Sequence, residues 1–271
     1  MDTDISSAMV CGPDGCDVPA PETRQPEVPL AEVPLAEVAP AEVAPAGAAL
    51  VGTRIDIVSD AICPWCYVGK RQLERALAML AQDGLTFQVH WNPFQLNPDM
   101  PKEGRDRAAY RAWKFGSAEK SAALDQRITD AAAAVGLAFR TDLMTRTPNT
   151  IDAHRLIWFA GQHGDQDAAM EAVFKAYFIE GRDIGERTVL ADCAAEAGLQ
   201  RQNVVDFLTS DLADKEMRAA DQAARQAGVS GVPSFFLDGH SLFSGAMPAQ
   251  TIADALRRGR DILSKSQQTA A

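Results

Sequence analysis

Two cysteines one helical turn apart, in Cys63-Pro64-Trp65-Cys66, come just after the short apolar run Arg54-Ile55-Asp56-Ile57-Val58. A dithiol at this junction calls for a strand that feeds a helix, and the helix is legible in Tyr67, Leu73, Leu77 and Leu80. The first sulfur then lies at the helix start, where unpaired backbone N–H groups and the positive end of the dipole stabilise a thiolate. Cys63 is the expected attacking group and Cys66, one turn deeper, the expected resolving group. Pro64 suits the first helical turn, because the N–H it lacks would have had no partner there. Trp65, between the thiols, is expected to tune their potential and to touch whatever docks.

Other uses of such a pair are weaker. Two cysteines at this spacing can be half of a zinc site, with Cys11 and Cys16 as the other half. A strand–helix junction is, however, the setting of redox thiols rather than of metal knuckles. A purely structural disulfide here would close a strained, easily reduced four-residue loop. No paired spacing joins His90, His154, His163 and His240 into a metal site, so no metal is expected. His154 is expected to pack or hydrogen-bond, since thiol exchange needs no separate base once the thiolate exists. Cys193, inside the apparent helix Thr188–Ala195, is expected to be a small buried hydrophobe.

The charge of −11 over 271 residues is unevenly placed: residues 1–50 hold nine Asp or Glu and one Arg, which leaves −3 for residues 51–271. The remainder carries no basic block of the kind that tracks a phosphate backbone, so nucleic acid is not an expected partner. The start Met1-Asp2-Thr3-Asp4-Ile5 lacks the positive and apolar regions of an export signal, and no run of about 18 apolar residues suggests a membrane span. The expected setting is therefore cytoplasmic, where dithiols are kept largely reduced.

Residues 27–46 are four pentads, two Glu-Val-Pro-Leu-Ala and two Glu-Val-Ala-Pro-Ala. A proline in every copy favours extended backbone over any core, which reads as a semi-rigid linker. Ahead of it, Cys11-Gly12-Pro13-Asp14-Gly15-Cys16 has strong turn chemistry at its centre that would bring its two thiols together. Residues 1–50 are thus expected to be a disordered Pro/Ala/Glu-rich tail carrying a second pair, Cys11 and Cys16, able to relay electrons to Cys63 and Cys66.

Leu85–Trp91 alternates apolar and polar residues and reads as a strand. From about 103 to 227 the chain turns into successive Ala-rich segments with helical spacing, including 118–135, 150–163, 166–179, 186–197, 201–209 and 211–227, with glycines near the ends. Strand chemistry returns in Pro233–Leu237 and Ser241–Ser244 around the Asp238-Gly239 turn. A last helix runs from about Pro248 to Leu263 with Ile252, Leu256 and Ile262 inward. The order β-α-β, helices, β-β-α predicts an α/β thioredoxin fold from 51–102 and 228–271, with a helical domain of 103–227 inserted between its halves.

Cys63-Pro64-Trp65-Cys66 together with Gly231-Val232-Pro233-Ser234 resembles the DsbA-like thiol oxidoreductases, and most nearly their cytoplasmic FrnE subgroup. Asn92–Pro98, Thr147-Pro148-Asn149-Thr150, Ala153-His154-Arg155-Leu156 and Ala176-Tyr177-Phe178 extend the likeness, which covers about residues 54 to 260. The resemblance implies a cis bond between Val232 and Pro233, facing the dithiol and offering the Val232 backbone to an extended substrate. It implies protein or small-molecule disulfides as substrates, and no required cofactor. The same superfamily contains 2-hydroxychromene-2-carboxylate isomerases and kappa-class glutathione transferases, which place a serine at the position of Cys63. A glutathione-dependent isomerase or transferase is the second reading, and a redox-regulated chaperone or binding module the third.

Overall fold

The computed structural model describes residues 9–12, 15–19 and 53–270. Its central sheet is built on β3 (Thr53–Ser59), where Ile55, Ile57 and Val58 are fully buried, as a strand covered on both faces requires. β3 pairs in parallel with β4 (Phe87–Pro93) and antiparallel with β7 (Ser234–Leu237), which pairs antiparallel with β8 (His240–Ser244). The order is therefore β4-β3-β7-β8. Helix α1 (Pro64–Gln82) links β3 to β4, and α9 (Ala249–Ala270) lies beside it. This is the expected thioredoxin arrangement. Asp238 and Gly239 take positive φ in the β7–β8 turn, the backbone that the Asp-Gly pair anticipates.

Between β4 and β7 run α2 (Arg107–Phe115), α3 (Ala118–Ala134), α4 (Ile151–His163), α5 (Gln166–Phe178), α6 (Arg187–Glu196), α7 (Arg201–Thr209) and α8 (Asp214–Gln226). Two-residue strands β5 (Arg105–Asp106) and β6 (Arg146–Thr147) pair alongside α2. Helices α4, α5 and α8 pack on β4, and one hydrophobic core runs from the sheet into the helices. Tyr67 of α1 stacks on Phe174 of α5 at 4.9 Å and on Phe139 at 5.8 Å between ring centroids, so the helix that carries the dithiol is clamped by the insertion. Lys70, one turn on, is 3 % exposed and reaches Glu74, Asp167 and Glu171. Burial alone would lower its pKa; Asp167 and Glu74 more than offset that and raise it.

Two details depart from the sequence reading. Helix α2 falls outside the helical spans named above: it has no buried residue and Trp113 is 72 % exposed, so it lacks a core-facing stripe. Its boundaries come from Asp106, whose carboxylate accepts the Ala109 N–H, and from Gly116 at φ 90°. On α9, Ile252 and Leu256 face inward as expected, but Ile262 is 49 % exposed. The stripe continues instead at Gly259 and Leu263; a Cβ on Gly259 would sit 2.7 Å from Leu237 Cδ2, so the helix closes onto β7 there.

In the N-terminal segment, β1 (Met9–Gly12) and β2 (Gly15–Pro19) pair antiparallel on either side of the expected turn. The pentad linker and the Cys11 and Cys16 side chains lie outside the described residues. No helix among the described residues is long and apolar enough to cross a membrane.

Candidate active site

Cys63 is the N-cap of α1, with extended backbone (φ −85°, ψ 112°), and Pro64 opens the helix. Its N–H bonds to the Asp60 carbonyl at 3.0 Å, and its carbonyl accepts the Cys66 N–H at 3.1 Å, so the turn places Cys66 one step inside the helix. Both sulfurs are fully buried and neither is in a disulfide. Burial pushes the Cys66 thiol well up, and the hydrogen bond to Cys63 and the charge of Cys63 add to it, against smaller opposing bonds from the Ser59 side chain and the Asp60 backbone. Cys66 is therefore a sulfur that keeps its proton.

The Cys63 sulfur faces the Val232 carbonyl at 3.6 Å, across 169 positions of sequence. The Val232–Pro233 bond is cis, as the resemblance implies. The loop is held from both sides: Ser234 Oγ bonds the Gly231 carbonyl at 2.8 Å and meets Ser244 Oγ at 2.8 Å, while the Gly245 N–H donates to the Pro233 carbonyl at 2.7 Å. Gly69 of α1 gives the loop its seat, since a Cβ there would lie 3.1 Å from Pro233 Cγ. Trp65 is buried, and with its half-buried neighbours Pro64 and Ile62 it lines a cavity of about 60 Å³. Phe139 and Phe178 line that cavity, and Arg107, Arg111 and Lys114 of α2 stand at it.

Several residues that shape this site carry no local signal of doing so. Asp60, fully buried, accepts the Leu96 N–H at 2.7 Å and lies 3.4 Å from His154 Nε2. His154 Nε2 is also 3.1 Å from the Phe94 carbonyl, so the expected packing and hydrogen-bonding role is what its position offers. Asn97 Oδ1 accepts from Tyr110 at 2.7 Å and Lys114 at 2.8 Å, tying the loop after β4 to α2. Arg225 stacks over Phe94 at 4.1 Å and bonds the Gln95 carbonyl, which holds the same loop from below. Arg155 spans the Phe207, Ser210 and Leu212 carbonyls at 3.1, 2.7 and 2.8 Å and pairs with Asp152 at 2.6 Å, closing the end of α7. An aspartate after a strand reads locally as turn chemistry, and an arginine inside a helix reads as surface. Only the distant partner reveals the role.

Cys193 is buried with its sulfur 3.6 Å from the Ala172 carbonyl, and burial pushes its thiol up to about 12, which leaves it inert at neutral pH. Among the described residues no group of three or more His, Cys, Asp or Glu is arranged to hold a metal ion.

The pattern of the DSBA-like thioredoxin domain family matches residues 54–257. A crystal structure of a probable DsbA oxidoreductase from Streptomyces coelicolor is 35 % identical and covers 76 % of this chain and 89 % of its own, with a TM-score of 0.69. The Bacillus subtilis (strain 168) protein YwbO is 28 % identical over 193 residues, 71 % of this chain and 90 % of YwbO. A 2-hydroxychromene-2-carboxylate isomerase structure, 19 % identical, shares the fold with a TM-score of 0.54 over 80 % of this chain and 99 % of its own.

Proposed function

We propose, from the premise that this chain belongs to the DSBA-like thioredoxin domain family, that it is a thiol:disulfide oxidoreductase working through Cys63 and Cys66. The observation that carries this reading is the asymmetry of the pair. Cys63 stands at a helix N-cap against the cis-proline loop, while Cys66 lies inside with its proton held. The Cys63 thiolate attacks one sulfur of a substrate disulfide, the S–S bond breaks, and the other substrate sulfur leaves as a thiolate. Cys66 then gives up its proton and attacks the Cys63 sulfur, releasing the reduced substrate and leaving a Cys63–Cys66 disulfide. The Val232 backbone holds an extended substrate through main-chain hydrogen bonds, and Pro64, Trp65 and Pro233 form the surface it meets.

In this reading the substrates are protein or small-molecule disulfides, neither nucleic acid nor a membrane is a partner, no cofactor is needed, and the setting is the cytoplasm. A second reading, glutathione-dependent isomerase or transferase chemistry, is favoured by the three cations at the cavity beside Trp65, which suit a peptide thiol bearing carboxylates. The test is reduction of insulin disulfides by dithiothreitol. The native chain should accelerate it and Cys63→Ser should not. Equal rates with and without protein would transfer the assignment to the glutathione reading.

A further inference from the structure

Residues 51–271 carry a net charge of −3, yet positive charge gathers at one place beside the dithiol. The cavity lined by Pro64 and Trp65 adjoins a groove of about 390 Å³ on α2 and α3, and Lys114, Phe115 and Leu124 line both. Arg107, Arg111 and Lys114 stand there on α2, and Lys120 and Arg127 on α3, whereas Asp125 is the single carboxylate among the described residues that line either space. Asp125 is shared by Arg107 and Arg111 at 2.8 Å each, and Lys114 is held by Asn97 Oδ1, a neutral acceptor, so the lining keeps a surplus of positive charge. The outer part is open to solvent, since Lys120, Ala123 and Arg127 are exposed. At its side Trp113 is 72 % exposed, with its ring 5.7 Å from that of Tyr110, which lines the cavity. Aromatic and arginine side chains together are the composition of protein-binding surfaces.

We infer that the α2–α3 groove binds the acidic flank of a polypeptide substrate, so that the disulfides this protein selects are those whose attacked cysteine has Asp or Glu close by in the chain. The inference rests on the oxidoreductase reading above and names the substrate class of that site. Carboxylates of the flank pair with Lys114, Lys120 and Arg127, and an apolar neighbour lies against Trp113 and Phe115. The exchange of electrons is the one already described; the groove decides which chain is presented to Cys63.

The dimensions suit an extended chain. A rise of about 1.5 Å per residue sets Arg107 roughly 10 Å from Lys114 along α2, and Lys120 as far from Arg127 along α3, which is the length of about three residues of extended backbone. The cavity of about 60 Å³ is far below the roughly 300 Å³ at which small-molecule pockets begin, so the cations meet a chain lying across the surface rather than an enclosed ligand. A phosphodiester chain would also match the charge, but the groove adjoins Pro64 and Trp65 beside Cys63, and nucleic acid brings no disulfide to that sulfur. Complementary charge of this kind acts on encounter and partner choice, and salt screens it.

The experiment gives the full native chain three peptide disulfides with dithiothreitol, alike except that the cysteine is flanked by Asp and Glu, by Asn and Gln, or by Lys and Arg, each rate being taken above the uncatalysed one. Exposed ion pairs are worth up to about fivefold each, so two or three of them make a preference of about tenfold in kcat/KM for the acidic over the neutral peptide. The basic peptide should come last, and the preference should shrink as salt is raised. Lys120→Glu combined with Arg127→Glu should abolish the preference, while Lys215→Glu, an exposed charge reversal on α8, should leave it at its native value. A ratio of rates is unmoved by partial loss of folded protein, so misfolding cannot imitate this result. If the acidic and neutral peptides turn over equally, or the preference survives in the groove variant, the groove assignment is overturned and the oxidoreductase reading stands. Turnover of oxidised glutathione that depends on Lys120 and Arg127, without a preference for the acidic peptide, would give the groove to a small molecule and overturn it as well. If no disulfide is turned over, the reading beneath is removed and this inference with it.

Discussion

Gly69→Ala tests how the dithiol helix and the cis-proline loop are fitted together. Alanine in a helix interior is favoured over glycine by about 1 kcal/mol, so an unobstructed site would gain that much stability. Here the new Cβ would lie 3.1 Å from Pro233 Cγ, 3.7 Å from Phe235 Cζ and 3.8 Å from Ala246 Cα, and the neighbour must give by a few tenths of an ångström. Overpacking of this kind costs about 1–3 kcal/mol. The net expected change is a loss of about 0–2 kcal/mol, read from urea unfolding midpoints at unchanged slope. The functional effect should be larger than the structural one. The Cys63 sulfur faces the carbonyl of Val232, which the cis bond joins to Pro233, and misplacement by about 1 Å is enough to cost roughly a hundredfold in rate. A shift of a few tenths should lower kcat/KM for insulin reduction by about tenfold, which is about 1.4 kcal/mol of barrier. A variant stabilised by the full helix-propensity gain, with kcat/KM intact, would show that Pro233 is not wedged against α1 and refute the argument.

Other consequences are open to measurement. Replacing Arg155 with Met leaves the Phe207, Ser210 and Leu212 carbonyls without their shared donor and Asp152 with Arg187 alone. Breaking a buried ion pair should destabilise by about 3–5 kcal/mol, while the variant, where folded, keeps its turnover. Cys193, raised to about 12 from an ordinary value near 9, gives stability that is fully present below pH 9 and lost as pH rises toward 12, because the unfolded thiol ionises first. Urea unfolding at pH 8 and pH 10 should differ by about 1 kcal/mol from this group, and Cys193→Ala should remove that share of the slope. A pH dependence identical in the two chains would contradict the burial of that thiol. Alkylation by iodoacetamide in the native state should reach Cys63 before Cys66 or Cys193, and a first hit on Cys66 would invert the assigned order of attack.

The elements with local signals were legible. The dithiol at a helix start, the Asp238-Gly239 turn and six of the inserted helices need only capping, turn and period chemistry, which act over a few residues. Helix α2 escaped because its faces meet no core, and Ile262 was misassigned because a periodic stripe drawn through Ile252 and Leu256 runs on to Gly259, a residue that packs by lacking a side chain. The motif around His154 and Arg155 was visible as a resemblance but had no derivable chemistry until Phe94, Asp60 and the end of α7 were brought beside it.

The sequence by itself determined which sulfur begins the helix, where the strands and most helices lie, and that the halves of one fold flank a helical insertion. Tertiary structure alone decided that Cys63 faces Val232 across 169 positions, that Cys66 is the thiol whose proton is held by burial, and that α2 presents three cations beside Trp65. The division follows from range. Backbone propensity and capping are settled among neighbours in the chain, whereas burial, charge pairing and the shift of a thiol depend on atoms that only the folded path brings near.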